Sequence, residues 1–151
     1  MRVSETMTRD VCIVRPDDTV EEAARMMAAI DVGLLPVGDG DRLIGMVTDR
    51  DIAIRAIGEG EGPATKVEQV MTRDVKYCYD DEEIAQVARN MAEQQVRRLP
   101  ILNRDKRLVG ILSLADIAQF ETDIREVGSA YRGIAQPGGS HCTDGPSLRA
   151  G

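Results

Sequence analysis

Aromatic residues are nearly missing from this chain of 151 residues, which holds one Phe, three Tyr and no Trp. Without aromatic faces there is no platform on which nucleic-acid bases could stack. Basic charge is short as well: 19 Lys and Arg stand against 26 Asp and Glu, a net charge of −7 that argues against a binder of phosphate backbones. No nucleic-acid partner is therefore expected. Long apolar runs are also lacking, so no membrane span is expected, and Met1-Arg2-Val3-Ser4-Glu5 lacks the apolar stretch of a signal peptide. A cytoplasmic location follows as the expectation.

Histidine and cysteine are scarce. The single histidine, His141, stands beside Cys142 in a glycine-rich stretch, far from Cys12 and Cys78. Three cysteines with no C-x-x-C pair support neither a disulfide framework nor a zinc site. Cys12 and Cys78 lie in strand-like segments and read as small buried apolar residues. No nucleophile with an adjacent base and no metal cluster is visible, so no catalytic residue, metal or required cofactor is assigned, and an enzyme is not expected.

What the chain does have is repetition. At an offset of 64, residues 7–36 match residues 71–100 at 13 of 30 positions, beginning with Met7-Thr8-Arg9-Asp10-Val11 against Met71-Thr72-Arg73-Asp74-Val75. At an offset of 65, residues 42–54 match 107–119 at 6 of 13. Average composition would give about one match in fifteen, so the chain is a tandem duplication.

Each copy reads as strand, helix, strand, strand, helix. In the first, Val11-Cys12-Ile13-Val14 is a strand, and Thr19 caps a helix with its apolar stripe at Val20, Ala23, Ala24, Met27 and Ala28. Strands over 33–37 and 42–47 flank the turn Gly38-Asp39-Gly40-Asp41. The second copy repeats the stripe at Ile84, Val87, Ala88, Met91 and Ala92, with strands over 97–102 and 107–112. A unit of some sixty residues cannot cover its sheet alone, so an α/β fold of two stacked units is expected.

The division expected is 1–62 for the first unit with its linker, 63–128 for the second, and 129–151 for a helix end and mobile tail. The last helix would run to about Arg132 through Ile117, Phe120, Ile124 and Val127, with the tail beginning at Gln136. The linker Gly58-Glu59-Gly60-Glu61-Gly62-Pro63 lacks the Lys-Ser/Thr of a phosphate loop. Met26, Ala29 and Ile30 lie off the first stripe yet are apolar; with Phe120 and Ile124 they would cover a second copy, which predicts a homodimer.

The two copies converge on one motif. Gly45-Met46-Val47-Thr48-Asp49-Arg50-Asp51-Ile52 returns as Gly110-Ile111-Leu112-Ser113-Leu114-Ala115-Asp116-Ile117. One reading is two helix caps, with Thr48 or Ser113 capping and Asp51 or Asp116 in the first turn. The other is a ligand site: free amides at a helix start suit a phosphate, and a carboxylate one turn in can accept both hydroxyls of a ribose. Arg50 would meet phosphate in the first copy. Arg97 and Arg98 add charge near Pro100 in the second, either toward a ligand or as solvated edge charge.

This doubled unit, with an h-h-P before each hairpin and G-h-h-[ST]-x-x-D after it, resembles a tandem pair of CBS domains, and in particular the small stand-alone bacterial pairs. The resemblance covers residues 1 to about 125. It implies a pair of β-α-β-β-α units related by pseudo-twofold symmetry, a dimer of such pairs, and adenine-nucleotide ligands such as AMP, ADP, ATP or NAD in clefts between the units. It further implies signalling to a downstream protein. Asp51 and Asp116 would then hold ribose hydroxyls, and Thr48 and Ser113 ribose or phosphate. The backbone near Val11 or Val75 would read the adenine edge, with Leu35, Pro36, Leu99 and Pro100 as walls. The alternative is an interaction module without a ligand.

Overall fold

The computed structural model describes residues 1–120, the Phe120 side chain excepted. The expected course to Arg132, Ile124 and Val127, the tail from Gln136, and His141 with Cys142 lie outside the described residues. The chain divides into two compact units. One, the first-repeat unit, holds residues 10–77 and 102–109; the other, the second-repeat unit, holds residues 1–9, 78–101 and 110 onward.

In the first-repeat unit Thr19 starts helix α1, Val20–Ile30, with a reciprocal pair of bonds: the Glu22 amide donates to Thr19 Oγ1 and the Thr19 amide to the Glu22 carboxylate. Asp31 ends the helix in the left-handed region at φ 56°. Strands β1, Leu34–Asp39, and β2, Arg42–Thr48, then form an antiparallel hairpin in which Leu35 faces Val47 and Pro36 faces Met46. Val14 lies parallel to β1 opposite Val37, and Thr72 lies antiparallel to β2 opposite Met46. The expected strand 11–14 thus reduces to one paired residue. Beyond Val14 the turn of Asp18 back to Arg15 starts at once, and β1 bulges between Val37 and Gly38, so the pairing does not run on past Val14.

Beneath this hairpin lies a core of Val14, Val20, Ala23, Met27, Leu35, Val37, Val47, Val67 and Val70. Full burial of a side chain such as Leu35 stabilises by about 1.5–3 kcal/mol. The stripe of α1 is narrower than its sequence spacing predicts, because Ala24 and Ala28 stay exposed. Chain 49–59 also departs from one regular helix: a single α turn, α2 (Asp49–Asp51), is followed by a π turn over Ile52–Ala56 and a 3-10 turn over Ile57–Glu59. The glycine-rich linker is exposed but tied down, since Val20 and Glu21 at the start of α1 donate their amides to the Thr65 and Pro63 carbonyls.

Apart from residues 102, 108 and 109 at the strand ends, the second-repeat unit holds β3 (Cys78–Tyr79), β4 (Arg98–Leu102) and β5 (Leu108–Ser113), which form a sheet in that order, with Thr8 antiparallel to β5 opposite Ile111. The turn joining β4 to β5 falls in residues 102–109. Helix α3, Ile84–Gln94, buries Ile84, Val87, Ala88 and Met91, and α4, Leu114–Phe120, buries Leu114 and Ile117. Cys78 is buried as expected, whereas Cys12 is exposed and not part of a core.

The compact units cut the chain differently from the repeat boundaries. The 3-10 turn Val67–Gln69, which leads into the second repeat, bonds in the first-repeat unit through Val67 to Asp18 and Glu68 to Pro16. Its counterpart Val3–Glu5 bonds in the second-repeat unit, through Val3 to Glu82 and Ser4 to Asp80. Each lead-in thereby closes an open edge, of β2 at Thr72 and of β5 at Thr8. This explains the glycine that opens both motif copies. A Cβ on Gly45 would stand 3.0 Å from the Thr72 carbonyl oxygen and 2.7 Å from Met71 Sδ; on Gly110 it would stand 2.9 Å from the Thr8 oxygen and 2.6 Å from Met7 Sδ.

Candidate functional site

The two G-h-h-[ST]-x-x-D copies build one geometry twice. Where β2 ends, the Asp51 amide donates to Thr48 Oγ1 at 3.0 Å, and the Thr48 amide donates to Asp51 Oδ2 at 2.9 Å. Where β5 ends, the Asp116 amide donates to Ser113 Oγ at 3.1 Å, and the Ser113 amide to Asp116 Oδ2 at 3.0 Å. Each acid is half-buried and locked in orientation, with one carboxylate oxygen spent on the cap. A carboxylate accepts at about four lone-pair sites, so the other oxygen keeps its capacity for a ligand hydroxyl.

Most of the amides expected to be free for phosphate are already used. At α2 the Asp49 amide donates to the Gly33 carbonyl at 2.9 Å and the Arg50 amide to Asp49 Oδ1 at 2.8 Å. At α4 the Leu114 amide donates to the Arg97 carbonyl at 3.0 Å. A ligand meeting the start of α2 therefore finds oriented carboxylates rather than open N–H groups.

The remaining expected residues separate. Leu35, Pro36, Leu99 and Pro100 are buried in their strands. Val75 lines a cavity of about 160 Å³ with Leu43, Ile44, Arg73, Tyr77 and Leu102, in the first-repeat unit. Val11 is half-buried outside any strand, and Arg50, Arg97 and Arg98 are exposed. Arg50 forms no side-chain bond among the described residues. The cation beside Asp51 is instead Arg55, whose Nε lies 3.8 Å from Asp51 Oδ1. The i, i+4 spacing of Asp51 and Arg55 was the available signal, although it marks any stabilised helix turn.

The duplication, the motif pair and this cap geometry agree with a comparison against known families. The CBS domain profile matches twice, over residues 3–57 and 67–123. The chain belongs to the CBS domain family. Among relatives, the CBS domain-containing protein YhcV of Bacillus subtilis is 38% identical over 133 residues, covering 88% of this chain and 94% of YhcV. Among solved structures, Hypoxic Response Protein I with two coordinated zinc ions superposes with a TM-score of 0.72 at 37% identity, over 80% of this chain and 98% of that one.

Two further CBS neighbours carry adenosine compounds. CBSX2 in complex with AMP superposes with a TM-score of 0.70 at 27% identity, over 78% of this chain and 93% of its own. The CBS domain pair of MJ0100, in complex with 5-methylthioadenosine and S-adenosyl-L-methionine, gives 0.69 at 26%, over 79% and 94%. What those three ligands share is adenine and a ribose diol; phosphate occurs in one of them only. Among the described residues of this CBS protein no cluster of three His, Cys, Asp or Glu could hold a metal ion. No described helix is long and apolar enough to cross a membrane.

Proposed function

We propose that this CBS protein is a regulatory module that binds an adenine nucleotide at Asp51 and Asp116 and signals the occupancy to a partner protein by a change of conformation. The observation that carries the reading is the matched pair of half-buried carboxylates, each fixed through one oxygen by its own cap. A rigid carboxylate can take both hydroxyls of a ribose, the element common to the ligands of the two CBS neighbours above. Thr48 and Ser113 would hold the acids in place. Arg50 would meet phosphate, as would Arg97 and Arg98 in the second copy. Val11 and Val75 remain the proposed readers of adenine, with Leu35, Pro36, Leu99 and Pro100 as backing walls.

The module would act as a cytoplasmic homodimer and a regulator rather than a catalyst. Support for self-association lies in the first-repeat unit. There Ala24, Met27, Ala28, Val32, Ile52, Ala53 and Ile57, with Asp49 as the one charged member, line an open hollow of about 430 Å³, and Ile30, Ile54 and Ile57 are exposed. Light scattering after gel filtration at micromolar protein should return twice the chain mass; a monomer alone would remove this part.

A second reading has its own support: both caps are complete without a ligand, as an interaction module would need. A thermal-shift panel with AMP, ADP, ATP, NAD, S-adenosylmethionine and guanine nucleotides decides between the two. A ligand at a hundredfold excess over its Kd adds about 2.7 kcal/mol. Adenine compounds should raise the melting temperature, and Asp51→Ala should lose part of the rise. No shift with any of them at millimolar concentration would leave the interaction module.

A further inference from the structure

Arg55 closes a ring around Asp51. Its Nη1 donates to the Val70 carbonyl at 3.1 Å and reaches the Met71 carbonyl at 3.5 Å, while its Nε faces Asp51 Oδ1. Thr72 and Met46 exchange main-chain bonds at 2.8 and 2.9 Å, and Met46 precedes Thr48 by two residues on β2. Strand, cap, carboxylate, guanidinium and residues 70–72 thus form one closed circuit within the first-repeat unit.

The second repeat closes its circuit differently. Position 120, which matches Arg55, is a phenylalanine, and the residue matching Val70 is Thr6. Thr6 Oγ1 donates to the main-chain carbonyl of Asp116 at 3.3 Å. There the link ends on the backbone, and the carboxylate forms no bond beyond its cap among the described residues.

We infer that Arg55 is the positioning residue of the Asp51 site and couples its occupancy to residues 70–72, a link with no counterpart at Asp116 among the described residues. The inference rests on the reading of Asp51 as a ribose ligand. The Asp51 side chain is 15% exposed and that of Arg55 52%, so the acid is held while the guanidinium has room to move. At 3.8 Å the pair is an ion pair short of hydrogen-bond contact, and Nε and Nη2 remain to close on the acid or on an oxygen brought to it. Any such movement pulls on the Val70 and Met71 carbonyls, because Nη1 is bonded there.

The experiment is an AMP titration followed by backbone amide NMR in protein carrying Asp116→Ala, which leaves only the Asp51 site. With Arg55 present, AMP should bind and the Met71 and Thr72 amides should shift. Adding Arg55→Met should weaken AMP about three- to fivefold, the scale of a half-exposed ion pair, and abolish the shifts at 71 and 72. Arg55→Lys should restore part of both. Unchanged affinity and unchanged shifts in Arg55→Met overturn the inference alone. Failure of the Arg55-containing protein to bind AMP or any other adenine compound of the panel overturns the assignment of Asp51 and the inference with it.

Discussion

The two repeats start from one pattern and finish it with different chemistry. In the first-repeat unit the acid of the motif has a guanidinium at its free oxygen, α1 leaves Ala24 and Ala28 bare, and the chain after Asp51 winds into a π turn. In the second-repeat unit the acid has no cation paired with it among the described residues, and α3 buries Ala88 where α1 exposes Ala24. What stays constant is the cap and the close glycine; what varies one turn further on is the residue itself, Arg55 against Phe120. A duplicated scaffold can therefore hold two acids in the same pose and still present unequal sites.

The largest expected effect concerns a feature both units share. Gly45→Ala and Gly110→Ala each force a Cβ against a main-chain oxygen and a methionine sulfur, and should each cost about 1–3 kcal/mol in urea unfolding. Similar losses would confirm that both lead-ins close their edges alike; loss at one alone would break the equivalence. Next in size are the caps. Thr48→Ala and Ser113→Ala each remove an acceptor for the acid's amide and should cost about 1 kcal/mol in the same measurement. A clearly smaller cost at Thr48 would show that Arg55 supports Asp51 without the cap.

Smaller still is the contrast of two thiols. Cys78 occupies the core position that Val14 fills in the other repeat, and burial pushes its thiol from 9.0 up to about 12, with Glu82 adding to the rise. Raised above its unfolded value, the group contributes stability that is whole below pH 9 and is lost progressively as pH rises toward 12. In a Cys142→Ser background, iodoacetamide at pH 8 should modify the exposed Cys12 and spare Cys78 until the protein unfolds. Equal rates would place Cys78 outside the core.

Much of this was legible from short-range pattern. Thr19, Thr48 and Ser113 are read correctly as caps because each bond spans three residues, and Ile84, Val87, Ala88 and Met91 because a helix repeats every 3.6. Illegible were the features decided across many residues. Arg55 was missed because its partners besides Asp51 lie 15 and 16 positions on. Strand propensity in Val11 and Ile13 could not reveal that only Val14 finds a neighbour. Free amides were expected at α2 because the Gly33 carbonyl that occupies one of them sits on the far side of a hairpin. Ala24 and Ala28 fit the stripe by spacing, yet spacing carries no information on whether the opposite wall is present.

The exchange of lead-ins also bears on how the gene could be cut. A fragment ending at the glycine linker would keep Val3–Glu5, whose bonding partners at Asp80 and Glu82 it lacks, and would be without Val67–Gln69 and Thr72, which finish its own hairpin. Such a half would carry an unpaired β2 margin into solution, a ready template for sticking to its siblings. A cut after residue 77 keeps Val67–Gln69 and Thr72 with the hairpin they finish, although it still leaves out residues 102–109, whose Leu108 amide bonds to the Asp41 carbonyl.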